Sequence, residues 1–179
     1  MAENDKLLGV HFAEDDDTQR IRVWWKKNGM GIVAGVAIGL VGVGGFKGWQ
    51  AYTEDRALSA SDVFQQMLAY DESGASEQAK DSAQILVEDY RATPYGDLAY
   101  LMLAKLATKK GELSNAIEAL THVMTKSKDP AMRQLARLRL SRVTLLAGDL
   151  VRAQELATTD DVGGFESEYP EVLGDVLLA

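Results

Sequence analysis

NGMGIVAGVAIGLVGVGGF, Asn28 to Phe46, is a run of nineteen residues without a charged side chain. At about 1.5 Å per helical residue it reaches roughly 29 Å, close to the ~30 Å hydrocarbon layer of a bilayer. Lys26 and Lys27 close the run on one side and Lys47 on the other. Just outside stand Trp24 and Trp25, then Trp49 and Tyr52. Such amphipathic rings settle at the two membrane–water interfaces. The run therefore reads as one transmembrane helix over 28–46, inside an anchor over 20–52, with the lipid bilayer as its solvent. A soluble core helix of this length carries a polar face, and this run has none. A cleaved signal peptide has a shorter apolar core followed soon by a small-residue site. Here 27 residues precede the run, and the nearest such stretch, Leu58-Ser59-Ala60, lies well past it.

The flanks set an orientation. Arg20, Arg22, Lys26 and Lys27 crowd the N-terminal edge, against Lys47 and Arg56 beyond the other. Basic excess marks the cytoplasmic side, and carboxylates count for little, so the cluster Glu14-Asp15-Asp16-Asp17 does not reverse it. Residues 1–19 then form a disordered cytoplasmic tail, polar and poor in large apolar side chains. Within the span, Gly31, Gly35 and Gly39 fall on one face at four-residue steps, which lets another helix pack closely. The plainer explanation is that glycine is common in membrane helices.

Beyond Trp49 the chain carries 21 Asp and Glu against 13 Lys and Arg, a net charge of −8. That excludes nucleic acid as a partner, because phosphate has to be neutralised by basic groups. Cysteine is absent, so no disulfide holds the fold and the core has to.

This part is patterned for helices. Leu98, Leu101, Met102 and Leu106 follow the 3.6-residue period, as do Leu113, Ala116, Ile117, Leu120 and Met124, and then Ala136, Leu140, Val143 and Ala147. The stripes recur. Gly74, Gly111 and Gly148 lie 37 residues apart, each followed five residues later by Ala79, Ala116 or Ala153. A glycine there ends the first helix of a hairpin through a left-handed turn. The alanine lets the second helix approach. Pro94, Pro130 and Pro170 then open the next units at the first helical position, with Thr93 and Asp129 as caps for the first two. The expected fold is all-α: one N-terminal transmembrane helix, then a tetratricopeptide-like stack of antiparallel hairpins over 53–179. Its units cover about 57–93, 94–129 and 130–169, with a partial fourth at 170–179. The third unit's second helix should be short, since Asp160-Asp161-Val162-Gly163-Gly164 interrupts it.

No catalytic, cofactor-binding or metal-binding set stands out. His11 lies in the tail, and His122 stands two residues past Leu120, off the apolar stripe, where a solvated side chain is expected. The first helices of a tetratricopeptide stack line its concave groove. By register Leu101, Lys105, Leu138, Arg139 and Arg142 face that groove, which would suit an acidic peptide; surface pairing with nearby carboxylates is the rival reading.

The order Trp24-Trp25-Lys26-Lys27-Asn28-Gly29, glycine-rich span, Trp49 and Tyr52, then divergent repeats resembles the YfgM-like family. The stretch Ala136 to Val143 resembles that family's repeat helix. The family comprises ancillary subunits of the bacterial Sec translocon. The resemblance implies a single-pass inner-membrane protein with its N-terminus in the cytoplasm and its repeats in the periplasm. It also implies association with SecYEG and with a membrane-anchored PpiD-type chaperone, helping exported polypeptides. A contact between the tail and a cytoplasmic response regulator is implied too. The rival binding role is an adaptor for division or pilus assembly; a membrane-tethered enzyme lacks any acid, base or nucleophile set.

Overall fold

A computed structural model describes residues 9–159 and 162–179, with side chains from Thr18 onward. His11, the Glu14 to Asp17 cluster and nearly all of the expected tail lie outside the residues whose side chains are described. Among the described residues the structure is all helix, without a strand. The helices are α1 (Gly9–Glu72), α2 (Ser76–Asp89), α3 (Pro94–Lys110), α4 (Leu113–Lys126), α5 (Pro130–Leu146), α6 (Leu150–Ala157) and α7 (Glu168–Leu178). They belong to two compact units, Met1–Tyr52 and Thr53–Ala179.

In the first unit, α1 is the one described helix long and apolar enough to cross a membrane, by length and composition. Its helical backbone passes Gly48 without a break. Met30, Val36, Ile38, Leu40, Val41 and Phe46 are all more than half exposed. An all-round apolar surface of this extent is what hydrocarbon accommodates, with every backbone hydrogen bond kept inside the helix.

The second unit is a stack of hairpins, and its turns are chemically alike. Gly74, Gly111 and Gly148 adopt φ of 77°, 77° and 82°, the left-handed region that glycine enters without a Cβ penalty. Each turn closes with the same two bonds. The glycine N–H donates to the carbonyl three residues back (Asp71, Thr108, Leu145), and the next residue's N–H donates to the carbonyl five back (Tyr70, Ala107, Thr144), all at 2.9–3.2 Å. These pairs satisfy carbonyls that a helix end leaves open.

Helix starts divide the expected caps. Pro94 and Pro130 each open a helix. Asp129 accepts from the Ala131 N–H at 2.8 Å, as a cap should. Thr93 makes no such bond; its hydroxyl donates instead to the Tyr90 carbonyl at 2.7 Å, tightening the preceding turn. Pro170 does not open its helix either, since α7 begins two residues earlier at Glu168.

The core runs as three successive clusters. Met67, Ala83 and Leu86 centre the first, Leu120, Val123 and Leu140 the second, and Ala153, Tyr169 and Val172 the third. α3 contributes to the first two clusters and α5 to the last two, so each helix pair buries one face on each neighbour. This nearest-neighbour burial is the logic of a repeat stack. Ala79, Ala116 and Ala153 are all fully buried, at the places where the hairpin helices meet. The third hairpin is the irregular one. α6 has only eight residues, and Arg137 compensates by donating to the carbonyls of Leu156 at 2.9 Å and Glu155 at 3.3 Å. A guanidinium at a helix C-terminus satisfies open carbonyls and suits the negative end of the helix dipole.

Candidate functional site

Two surfaces, one in each unit, carry the predicted residues. In the first unit, a Cβ placed on Gly31, Gly35 or Gly39 would meet nothing within 4 Å. That face is open along about two and a half turns, and Gly42, Gly44, Gly45 and Gly48 are equally open. The aromatic flanks are ordered locally. Gly29 lies under the Trp25 indole, whose nearest atom would be 3.1 Å from a Cβ there. Asn28 donates to the Trp24 carbonyl at 3.2 Å, and the Trp49 and Tyr52 rings lie 6.4 Å apart. Arg20, Arg22, Lys26 and Lys27 are exposed on their helix.

In the second unit, a groove of about 460 Å³ opens between α3 and α5. Its floor is apolar, made by Leu101, Ala104, Leu120 and Val143. Its rim is basic, with Lys105 and Lys109 on α3 and Arg139 and Arg142 on α5. Of the five residues that register places here, Leu101, Lys105, Arg139 and Arg142 do line the groove. Leu138 does not. It is buried in the third core cluster with Ala153, Ala157 and Tyr169, because one residue along a helix turns a side chain by about 100°.

The two rims differ in charge. Asp71, at the end of α1, binds both lysines, Lys105 at 2.5 Å and Lys109 at 3.3 Å. Its carboxyl is held below the ordinary value of 3.8, first by the hydrogen bond from Lys105. The opposite rim is less neutralised. Arg142 reaches Glu171 only at 3.7 Å, and no described residue pairs with Arg139. Desolvation, and then the charge of Arg142, pushes the Arg139 guanidinium down from its ordinary value.

The Asp71 pair gives a pH-dependent stability. A carboxylate with a depressed folded-state pKa stabilises fully above its unfolded value and loses that contribution as pH falls through the folded one. Asp71→Asn should therefore cost about 0.5–1 kcal/mol at neutral pH, since both lysines are half exposed. Thermal melts of the two chains should differ by a constant amount from pH 7 to about 5 and converge below 3.8.

Other residues take structural roles. The His122 ring stacks on Tyr100, centroids 4.0 Å apart, and is half-buried rather than solvated. Arg56 donates to the Asp89 carbonyl and lies over the Tyr90 ring. Among the described residues no group of three or more His, Asp or Glu is placed to hold a metal ion.

A long helix with a bilayer-length apolar run, ahead of stacked hairpins with a lined groove, defines a membrane-anchored helical-repeat protein. The family model for the tetratricopeptide repeat-like domain matches residues 22–179. The chain belongs to this family and, within it, to the YfgM-like proteins that its sequence resembles. A Haemophilus influenzae protein named ancillary SecYEG translocon subunit is 30% identical over 175 residues, covering 96% of this chain and 84% of the relative. Proteins of the same name from Aggregatibacter actinomycetemcomitans and Escherichia coli are 28% and 25% identical, covering 93% and 96% of this chain and 81% and 82% of theirs. No solved structure matches the chain.

Proposed function

We propose that this protein is a non-enzymatic, single-pass scaffold of the bacterial inner membrane, associated with a SecYEG-type export channel. The observation that carries the reading is the joint one. The relatives named as ancillary SecYEG translocon subunits align over nearly the whole chain, span and repeats together. The open glycine face offers a channel helix close packing, and the hairpin stack offers a soluble partner a lined groove. The basic excess at Arg20, Arg22, Lys26 and Lys27 supports an N-terminus in the cytoplasm, with the repeats in the periplasm. There the stack would meet a PpiD-type anchored chaperone and polypeptides leaving the channel. Any response-regulator contact would fall to residues 1–19.

Two experiments test this. The chain lacks cysteine, so Gln78→Cys, at an exposed position, supplies its only thiol. A membrane-impermeant maleimide added outside the inner membrane should label it; labelling only after that membrane is lysed would reverse the orientation. Gly35→Leu should lower recovery of channel subunits with the purified protein by roughly five- to twentyfold while membrane insertion stays intact. Unchanged recovery would reduce the span to a tether.

A further inference from the structure

The connections between hairpins carry cations that the fold leaves unused. A pocket of about 300 Å³ lies where the α2–α3 and α4–α5 connections meet, with Arg91, Lys126 and Lys128 beside Pro94, Leu98 and Met132. The two connections are fastened to each other. Buried Ser127 donates to the Asp97 carboxylate at 2.6 Å and accepts from the Asp129 N–H at 3.1 Å, and Arg133 donates to the Ser127 carbonyl at 3.1 Å. Both carboxylates of the lining are therefore engaged, Asp97 by that hydroxyl and Asp129 as the cap of α5. Arg91, Lys126 and Lys128 are exposed, and among the described residues none of them has an ion pair or a hydrogen bond. Three free cations around one pocket stand out in a unit of net charge −8. Their place in the chain points to the surface they meet. Arg56 donates to the Asp89 carbonyl and lies over the Tyr90 ring, so the start of this unit is fixed beside the connection that carries Arg91. Arg56 follows Phe46, the end of the uncharged run, by ten residues of α1, about 15 Å of helix. Headgroups fill roughly the first 5–7 Å beyond a hydrocarbon layer.

We propose that this pocket binds the headgroups of anionic phospholipids, with phosphate on Arg91, Lys126 and Lys128 and the glycerol and ester carbons on Pro94, Leu98 and Met132. This rests on reading Asn28 to Phe46 as a membrane span. The charge of the three cations complements a phosphate diester, and the apolar wall suits an amphiphile better than a free inorganic anion. The tether favours lipid as well. A surface to which the chain is already anchored presents its headgroups at high effective concentration, whereas a soluble anion has to be met by diffusion. The acidity of the unit as a whole does not prevent the contact. At physiological ionic strength charges more than about 8 Å away are largely screened, so the groups nearest the bilayer decide, and each basic side chain close to an anionic surface adds attraction. Because the cations are exposed, that attraction weakens with salt.

The test uses the full chain. It lacks cysteine, so Ala131→Cys, exposed in the first turn of α5 between the lining residues Asp129 and Met132, carries a single environment-sensitive fluorophore. The labelled chain is placed in phosphatidylcholine nanodiscs that contain a headgroup-spin-labelled quencher lipid, with phosphatidylglycerol either absent or at about one-third of the lipid. Quenching should be at least about threefold stronger in the anionic discs and should fall to the neutral level in high salt. The variant Arg91→Gln, Lys126→Gln, Lys128→Gln should lose that gain. A charge-matched variant, Lys80→Gln, Lys110→Gln, Arg152→Gln, changed outside the pocket, should keep it. The three pocket cations are exposed and unpaired among the described residues, so both variants should melt close to the parent chain. Equal quenching in neutral and anionic discs, or the same loss in both variants, overturns the proposal. So does a response in neutral discs to inorganic phosphate or to an acidic peptide that needs the three cations while phosphatidylglycerol has no effect, since the pocket would then serve a soluble anion. Retention of the chain in the discs is read separately, so a pocket that ignores headgroups leaves the span standing, and a chain that does not enter the discs overturns both.

Discussion

Leu140→Ala is expected to lower the stability of the repeat unit by about 3 kcal/mol, within the 2–5 kcal/mol range for a buried leucine. Leu140 has no exposed surface and sits in the middle cluster with Leu120, Val123 and Ala136. Removing its isobutyl group sacrifices the transfer energy of the lost carbons and leaves a void that rigid helices fill only in part. The position matters as well as the size. α5 joins the middle cluster through Leu140 and the last through Leu138, so a defect at Leu140 strikes the helix that links the two. Thermal unfolding of the full chain in detergent, followed by helical circular dichroism, should show a midpoint lower by on the order of 10 °C. A shift of only a degree or two would mean that the stack does not depend on this interface.

Ala116→Leu should act with comparable force through the opposite cause. Ala116 is fully buried and follows the Gly111 turn by five residues, where α3 and α4 converge. Added carbons have no space, so the hairpin must open or neighbouring side chains must leave their rotamers, at about 1–3 kcal/mol or more. The same replacement at exposed Asn115 should be close to neutral. Equal effects at the two positions would argue that the alanine repeat is not a packing device. Both chains can be compared in one melting series.

What was legible in the sequence is what is periodic or local. The span announces itself because nineteen uncharged residues with no polar face match the thickness of a bilayer's hydrocarbon layer. The turn glycines announce themselves because a left-handed residue is needed at each hairpin, and the spacing of 37 recurs with the alanines. Four of the five groove residues also followed from register alone. Pairs between helices were hidden, since they depend on how far apart and at what angle the helices cross. Asp71 clamping Lys105 and Lys109 joins positions 34 and 38 residues apart, and no local rule links them. Arg137 closes α6 from 19 residues away in sequence, which no local pattern signals. Ser141 is buried because its hydroxyl donates to the Ala153 carbonyl at 2.7 Å, beside the small alanine. Gly96 carried no turn signal, yet a Cβ there would lie 2.9 Å from the Arg91 backbone. Leu138 was misassigned by one step of the helix, enough to carry it from the groove to the last core cluster.

The claim that this repeat protein is docked at an export channel through its span is most directly tested by photo-crosslinking in membranes. Benzoylphenylalanine at Ile32 or Ile38 borders the face of Gly31, Gly35 and Gly39, and the same group at Val33 lies on the far side of the helix. Adducts with a channel subunit from Ile32 and Ile38, and few from Val33, are the predicted result. No channel adduct from any of the three positions, or the same yield from all of them, would contradict it.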